Sequence, residues 1–134
     1  MMGLFNKRQS NRWIRDVPAR IAVAGVTNYQ VGIARALVAT WGDSALREYE
    51  GEELNILVTL EIEPSNPHDR LAIKVMCAGY LLGYVPRDHL LWAHEAIGSP
   101  QIRRADVSAI VLTYPDRGDG ETLGVIIPEQ HAPS

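Results

Sequence analysis

From Leu54 to Ile62 every second residue is apolar: Leu54, Ile56, Val58, Leu60 and Ile62. A period of two predicts a strand with one face on a core, and it turns Asn55, Thr59 and Glu61 outward, with Glu63 next on the same side. Two further strand patterns follow. Residues 71–76 place Ile73 and Val75 inward and Lys74 outward, and residues 80–85 pair back after a tight turn at Ala78-Gly79. Upstream, residues 19–26 are small and apolar, with Ile21, Val23 and Gly25 on one face, which predicts a buried strand ended by the polar loop Thr27-Asn28-Tyr29-Gln30. Residues 105–114 and 121–127 predict a terminal hairpin around Pro115-Asp116-Arg117-Gly118-Asp119-Gly120.

Between these strands the period changes to 3.6. Ile33, Leu37, Val38 and Trp41 fall on a helical repeat over residues 31–41, and Gly42 stands where a C-terminal cap belongs. Residues 43–53 are polar, with a short helical turn expected over 44–49. Pro86 suits the first turn of a second helix, running through Leu90, Leu91, His94 and Ile97 to Gly98. The expected inventory is thus mostly β with α: about six strands and two helices. An open sheet of six short strands leaves two unpaired edges, which closure into a small barrel removes. The pattern of residues by itself also permits an open α+β sheet.

The stretch Glu63-Pro64-Ser65-Asn66-Pro67-His68-Asp69-Arg70 separates two of the strands. Two prolines fix φ and remove two amide donors, so neither a helix nor a central strand continues through it. Asn66 and Asp69 can bond their own backbone and hold a turn. A rigid polar loop between two strands is also where scaffolds place functional groups, so both roles are open for these two residues.

Composition narrows the chemistry. A chain of 134 residues is one domain by size. Its single cysteine, Cys77, rules out an internal disulfide and a cysteine-based zinc site. No apolar run reaches a membrane span, and the basic first residues lack the apolar stretch of a secretory signal, so a cytoplasmic location without membrane association is the expectation. There is no Gly-x-x-x-x-Gly-Lys-Ser/Thr motif for a nucleotide-driven motor and no Gly-x-Ser-x-Gly elbow. His89 and His94 are five apart, a spacing that does not put two metal ligands on one helical face. His68-Asp69 lacks a nucleophile and a geometry for mutual orientation, which argues against acid–base catalysis. No enzymatic activity and no cofactor are expected. The net charge of −3 argues against bulk nucleic-acid binding but leaves room for a local basic groove. Lys7, Arg8, Arg12, Arg15 and Arg20 crowd the first twenty residues. They read as a solvated arm, or as a phosphate-binding arm with Trp13 able to stack.

Residues 63–86 carry the pattern Glu-Pro-x-Asn-Pro-x-Asp-x-x-Ala-Ile-x-Val, followed by Gly-Tyr-Val-Pro: Glu63, Pro64, Asn66, Pro67, Asp69, Ala72, Ile73 and Val75, then Gly83, Tyr84, Val85 and Pro86. This resembles the HIRAN domain family, over about residues 19–127. The resemblance implies a small six-stranded OB-like β-barrel with two flanking helices. It divides the chain into a basic arm (1–15), a HIRAN-like domain (16–127) and a loose tail (128–134).

The resemblance also implies a function: capture of the 3′ end of single-stranded DNA in DNA repair or replication-fork processing. Rings stack on terminal bases and an aspartate receives the 3′-hydroxyl. The matching aspartate is Asp69, with Asn66 beside it. His68 stands where DNA-binding relatives have a stacking tyrosine, and Thr27-Asn28-Tyr29 where they have Arg-Tyr-Tyr. Tyr84 occupies a ligand-contact position and Arg87 a backbone-facing basic position, with Lys74 as a further cation. The implied partners are single-stranded DNA and a separate motor or nuclease protein. A carboxylate accepts a bond from a free hydroxyl and repels a phosphate, so the chemistry suits an end. The alternative is a protein-interaction module on the same barrel that has lost DNA-end binding. Convergence of Arg70, Lys74 and Arg87 around Asp69 would favour DNA. An acidic rim from Glu61, Glu63 and Asp88 would favour a protein.

Overall fold

The computed structural model describes residues 20–48, 52–98, 104–113 and 123–128. The basic arm, Trp13, the turn at 115–120 and the tail beyond Pro128 lie outside them. Strand β1 (Ile21–Ala22) is followed by a 3-10 turn (Val26–Tyr29), helix α1 (Gln30–Trp41) and a short helix α2 (Ala45–Glu48). Strands β2 (Glu53–Ile62), β3 (Ile73–Cys77) and β4 (Tyr80–Tyr84) come next. A second 3-10 turn (Arg87–His89) leads into helix α3 (Leu90–Ile97), and strands β5 (Arg104–Thr113) and β6 (Leu123–Ile127) complete the order.

The six strands form one antiparallel sheet in the order β1-β6-β5-β2-β3-β4. The long central strand β2 carries the alternation expected of it, with Leu54, Ile56, Val58 and Leu60 buried. They join Ile73, Val75, Val107, Ala109, Val111 and Val125 in a single core. Helix α1 adds Ile33, Ala36 and Leu37, and α3 adds Ala93, Ala96 and Ile97. Both helices end where expected: the Gly42 amide donates to Val38 O at 2.8 Å, and the Gly98 amide to His94 O at 3.0 Å.

The two edges of this sheet meet. Beyond β1, the Val23 amide still donates to Val125 O at 2.9 Å on one side. On the other side Ala24 and Tyr84 exchange a pair of bonds, N to O, of 2.8 and 2.9 Å. The segment 21–24 therefore bridges β6 and β4 and curls the sheet into a small OB-like barrel. Glycine makes the closure possible. At Gly83, φ is +152°, and a Cβ there would lie against the Ala24 carbonyl oxygen and 2.7 Å from Val23 Cγ1.

Two strands start or stop differently from the pattern. The first is regular only over Ile21–Ala22, because Gly25 takes a left-handed φ of 78° and turns the chain into the 3-10 segment. The third begins at Ile73 rather than residue 71. The Ala72 amide is taken by Asp69 O, and Ala72 O by the Glu63 amide, which makes Leu71 part of the loop; it is 61% exposed.

Candidate functional site

The loop from Glu63 to Ala72 is held by its own polar groups. Asn66 Oδ1 accepts the amides of His68 (2.8 Å) and Asp69 (2.9 Å), and Asp69 Oδ1 accepts the Leu71 amide (2.9 Å). Such side-chain-to-backbone bonds give the loop the partners that prolines and the absence of a strand deny it. Asn66 is thereby committed to shaping the loop, and its Nδ2 donates to Glu63 Oε1 at 2.8 Å.

Barrel closure brings Tyr84, the last residue of β4, beside this loop. Its hydroxyl donates to the same Glu63 oxygen at 2.9 Å. The ring of Tyr29, at the end of the first 3-10 turn, lies against it with centroids 6.2 Å apart and planes at 59°. This is a tilted aromatic pair, the arrangement that ring quadrupoles favour. Burial, the hydrogen bond to Glu63 and that carboxylate's charge push the Tyr84 phenol up to about 12, with Tyr29 adding to the effect.

Asn66, His68, Asp69, Tyr84 and Arg87 line one shallow pocket of about 270 Å³, to which Ala72, Val85 and Leu90 add apolar surface. Asp69 Oδ2 is 3.9 Å from Arg87 Nη2, too far for a hydrogen bond. Arg87 is 82% exposed, so this pairing is weak and leaves the guanidinium able to swing to another anion.

Five of the nine residues expected at a site thus share one pocket, and a sixth, Tyr29, abuts it through Tyr84. Thr27 and Asn28 are exposed in the same turn as Tyr29, outside the pocket lining. Lys74 is also outside it. Its ammonium is 3.5 Å from Glu61 Oε1, its cross-strand neighbour, and 3.9 Å from Glu63 Oε2, so its charge is met by two carboxylates.

Glu63, which opens the motif and was expected at the site only as part of an acidic rim, links the loop to Tyr84. It joins Tyr84, Asn66 and Lys74 at the mouth of the loop. The signal available was its place as the last outward residue after β2, opposite Ala72 and next to the Glu61–Lys74 pair. Lys74 and Tyr84 are themselves register partners.

Elsewhere, a more open apolar concavity of about 530 Å³ lies along the outer side of α1, between Val31, Ala34, Arg35, Val38, Ala39 and Tyr80. Burial raises the Cys77 thiol pKa, against a hydrogen bond with Thr40 that lowers it. Among the described residues no group of three or more His, Cys, Asp or Glu is placed to hold a metal ion, and no helix is long and apolar enough to cross a membrane.

Comparison with known proteins adds three findings. The HIRAN domain family model matches residues 38–123. The chain is similar to the HIRAN domain of human HLTF, whose crystal structure aligns over 84% of this chain and 74% of that one, with 18% identity and a TM-score of 0.39. It is also 29% identical over 79 residues to dynein axonemal heavy chain 17 of Homo sapiens; that match takes in 54% of this chain and 2% of the dynein's length.

Proposed function

The chain belongs to the HIRAN domain family, and from that premise we propose that it is a non-catalytic module that binds single-stranded DNA by a free 3′ end, in the service of DNA repair or replication-fork processing. The observation that carries this reading is the pocket itself. It puts an aspartate, two rings and an exposed guanidinium around one small concavity, although the residues come from a loop, a strand end and a turn. Asp69 has one oxygen committed to the Leu71 amide and the other turned toward Arg87 at a distance that a ligand hydroxyl can exploit. His68, Tyr84 and Tyr29 offer faces to bases, at ~1–3 kcal/mol for each base stacked on an aromatic ring. Arg87 suits a phosphate of the strand behind the terminal nucleotide.

This reading predicts polarity. A short oligonucleotide with an accessible 3′ end binds more tightly than the same strand whose 3′ end is folded into a hairpin while its 5′ end stays free. Equal affinity for the two in fluorescence anisotropy removes the end-capture reading. Arg87→Ala weakens all single strands alike and flattens the salt dependence, because a phosphate contact releases counterions whatever the sequence.

One observation favours a second reading, a protein-interaction module. The cations expected to converge on Asp69 do so only in part, since Lys74 is matched by Glu61 and Glu63. No binding to either oligonucleotide at low salt, with a folded protein, leaves that reading standing.

A further inference from the structure

The carboxylate of Glu63 touches both walls of the pocket without lining it. One oxygen, Oε1, takes the Tyr84 hydroxyl at 2.9 Å and the Asn66 carboxamide at 2.8 Å. The other faces the Lys74 ammonium at 3.9 Å. Through Asn66 the same group reaches the amides of His68 and Asp69. A phenol has one proton to give. With that proton directed at Glu63, Tyr84 Oη can only accept a bond from a ligand. Asp69 lines the same pocket, and a carboxylate is acceptor-only. We propose that Glu63 is a positioning and specificity residue, which fixes Tyr84 as a hydrogen-bond acceptor and so tunes the pocket to a ligand end rich in donors, a free hydroxyl, against one rich in acceptors, a terminal phosphate. This inference rests on the DNA-end reading above and assigns part of the discrimination, beside that of Asp69, to a residue that need not touch DNA.

The physical argument is one of proton direction and charge. An acceptor facing a phosphate oxygen finds no proton between them, and the pocket would have to desolvate both groups without compensation. A hydroxyl end provides the missing donor. The negative charge of Glu63 acts the same way, by opposing transfer or redirection of the Tyr84 proton. The raised phenol pKa agrees with this arrangement.

The test compares oligonucleotides ending in a 3′-hydroxyl or a 3′-phosphate, bound to the wild type, Glu63→Ala and Tyr84→Phe, each checked for an unchanged melting temperature. Glu63→Ala removes the acceptor of the Tyr84 proton, which is then free to point into the pocket. Affinity for the phosphate end should rise, and the hydroxyl-to-phosphate preference should fall several-fold. General loosening of the loop would instead weaken both ends together. Tyr84→Phe removes the acceptor and should weaken the hydroxyl end alone. If the wild type prefers the hydroxyl end and Glu63→Ala keeps the same preference, this inference is overturned and the DNA-end reading survives. A wild type with no preference sinks both. Should Glu63→Ala fail to fold, Tyr84→Phe decides: an unchanged hydroxyl-end affinity overturns the acceptor role.

Discussion

Replacing Gly83 by alanine tests the link between barrel closure and the site. The backbone φ of +152° is one that L side chains rarely adopt, and a Cβ would press on Ala24 O and lie 2.7 Å from Val23 Cγ1. The conformational strain alone is worth about 1–3 kcal/mol. Relief of the overlap requires the 23–24 segment to move away, which opens the Ala24–Tyr84 pair of bonds at 2.8 and 2.9 Å. Each such bond contributes about 0.5–1.5 kcal/mol net. Strain and bond loss partly substitute for each other, so the expected cost is about 2–4 kcal/mol, a large share of the roughly 5–15 kcal/mol that holds a domain folded. Urea unfolding followed by tryptophan fluorescence reads this as a lower midpoint at similar slope. The same change releases Tyr84 from its place beside Tyr29 and Glu63, so DNA affinity should drop in protein that is still folded. A midpoint within the equivalent of about 1 kcal/mol of the wild type would refute the closure argument, since strain on its own should exceed that.

Three more outcomes follow from the same geometry. Val75 is fully buried at the centre of the core; Val75→Asp places an unpaired carboxylate there and should abolish cooperative folding in a thermal melt, whereas an unchanged melt would mean the strand phase is wrong. Asn66→Ala removes the bonds to the His68 and Asp69 amides and to Glu63, which water can partly replace, and should cost about 0.5–1.5 kcal/mol by urea unfolding. Tyr84 holds its proton up to about 12 in the fold against an ordinary value of 10.0, so its contribution to stability is complete below pH 10 and is lost as pH rises toward 12; Tyr84→Phe should flatten that alkaline decline, and an identical decline would contradict the Tyr84–Glu63 arrangement.

Much of the fold was legible because it rests on local periodicity. The alternation from Leu54 to Leu60, the helical repeat ending at Gly42 and the turn at Ala78-Gly79 each follow from neighbours in the chain. The strand edges were less so. Leu71 continues an apolar run, yet hydrogen bonds from Glu63 and to Asp69 draw its segment into the loop. Closure through Ala24 and Tyr84 joins residues sixty apart, and no period reports it. The same holds at the site. Asn66, His68, Asp69, Tyr84 and Arg87 could be named from the motif, but their partners could not. That Lys74 is occupied by Glu61 follows from the β2–β3 register. That one Glu63 oxygen serves both Tyr84 and Asn66 follows only from where barrel closure sets Tyr84.

The central claim is that Asp69 receives a strand's terminal hydroxyl. A hydrogen bond to a charged acceptor contributes about 1.5–3 kcal/mol, roughly a tenfold to hundredfold effect on affinity. The most direct measurement is fluorescence anisotropy of matched single strands ending in 3′-hydroxyl or 3′-phosphate, with wild type and Asp69→Ala at several salt concentrations. The wild type should prefer the hydroxyl end by about that factor, and Asp69→Ala should lose most of that preference, keeping only the share set by Glu63 and Tyr84, with residual affinity from stacking. A preference undiminished by the loss of Asp69, or a wild type indifferent to the end, would contradict the account.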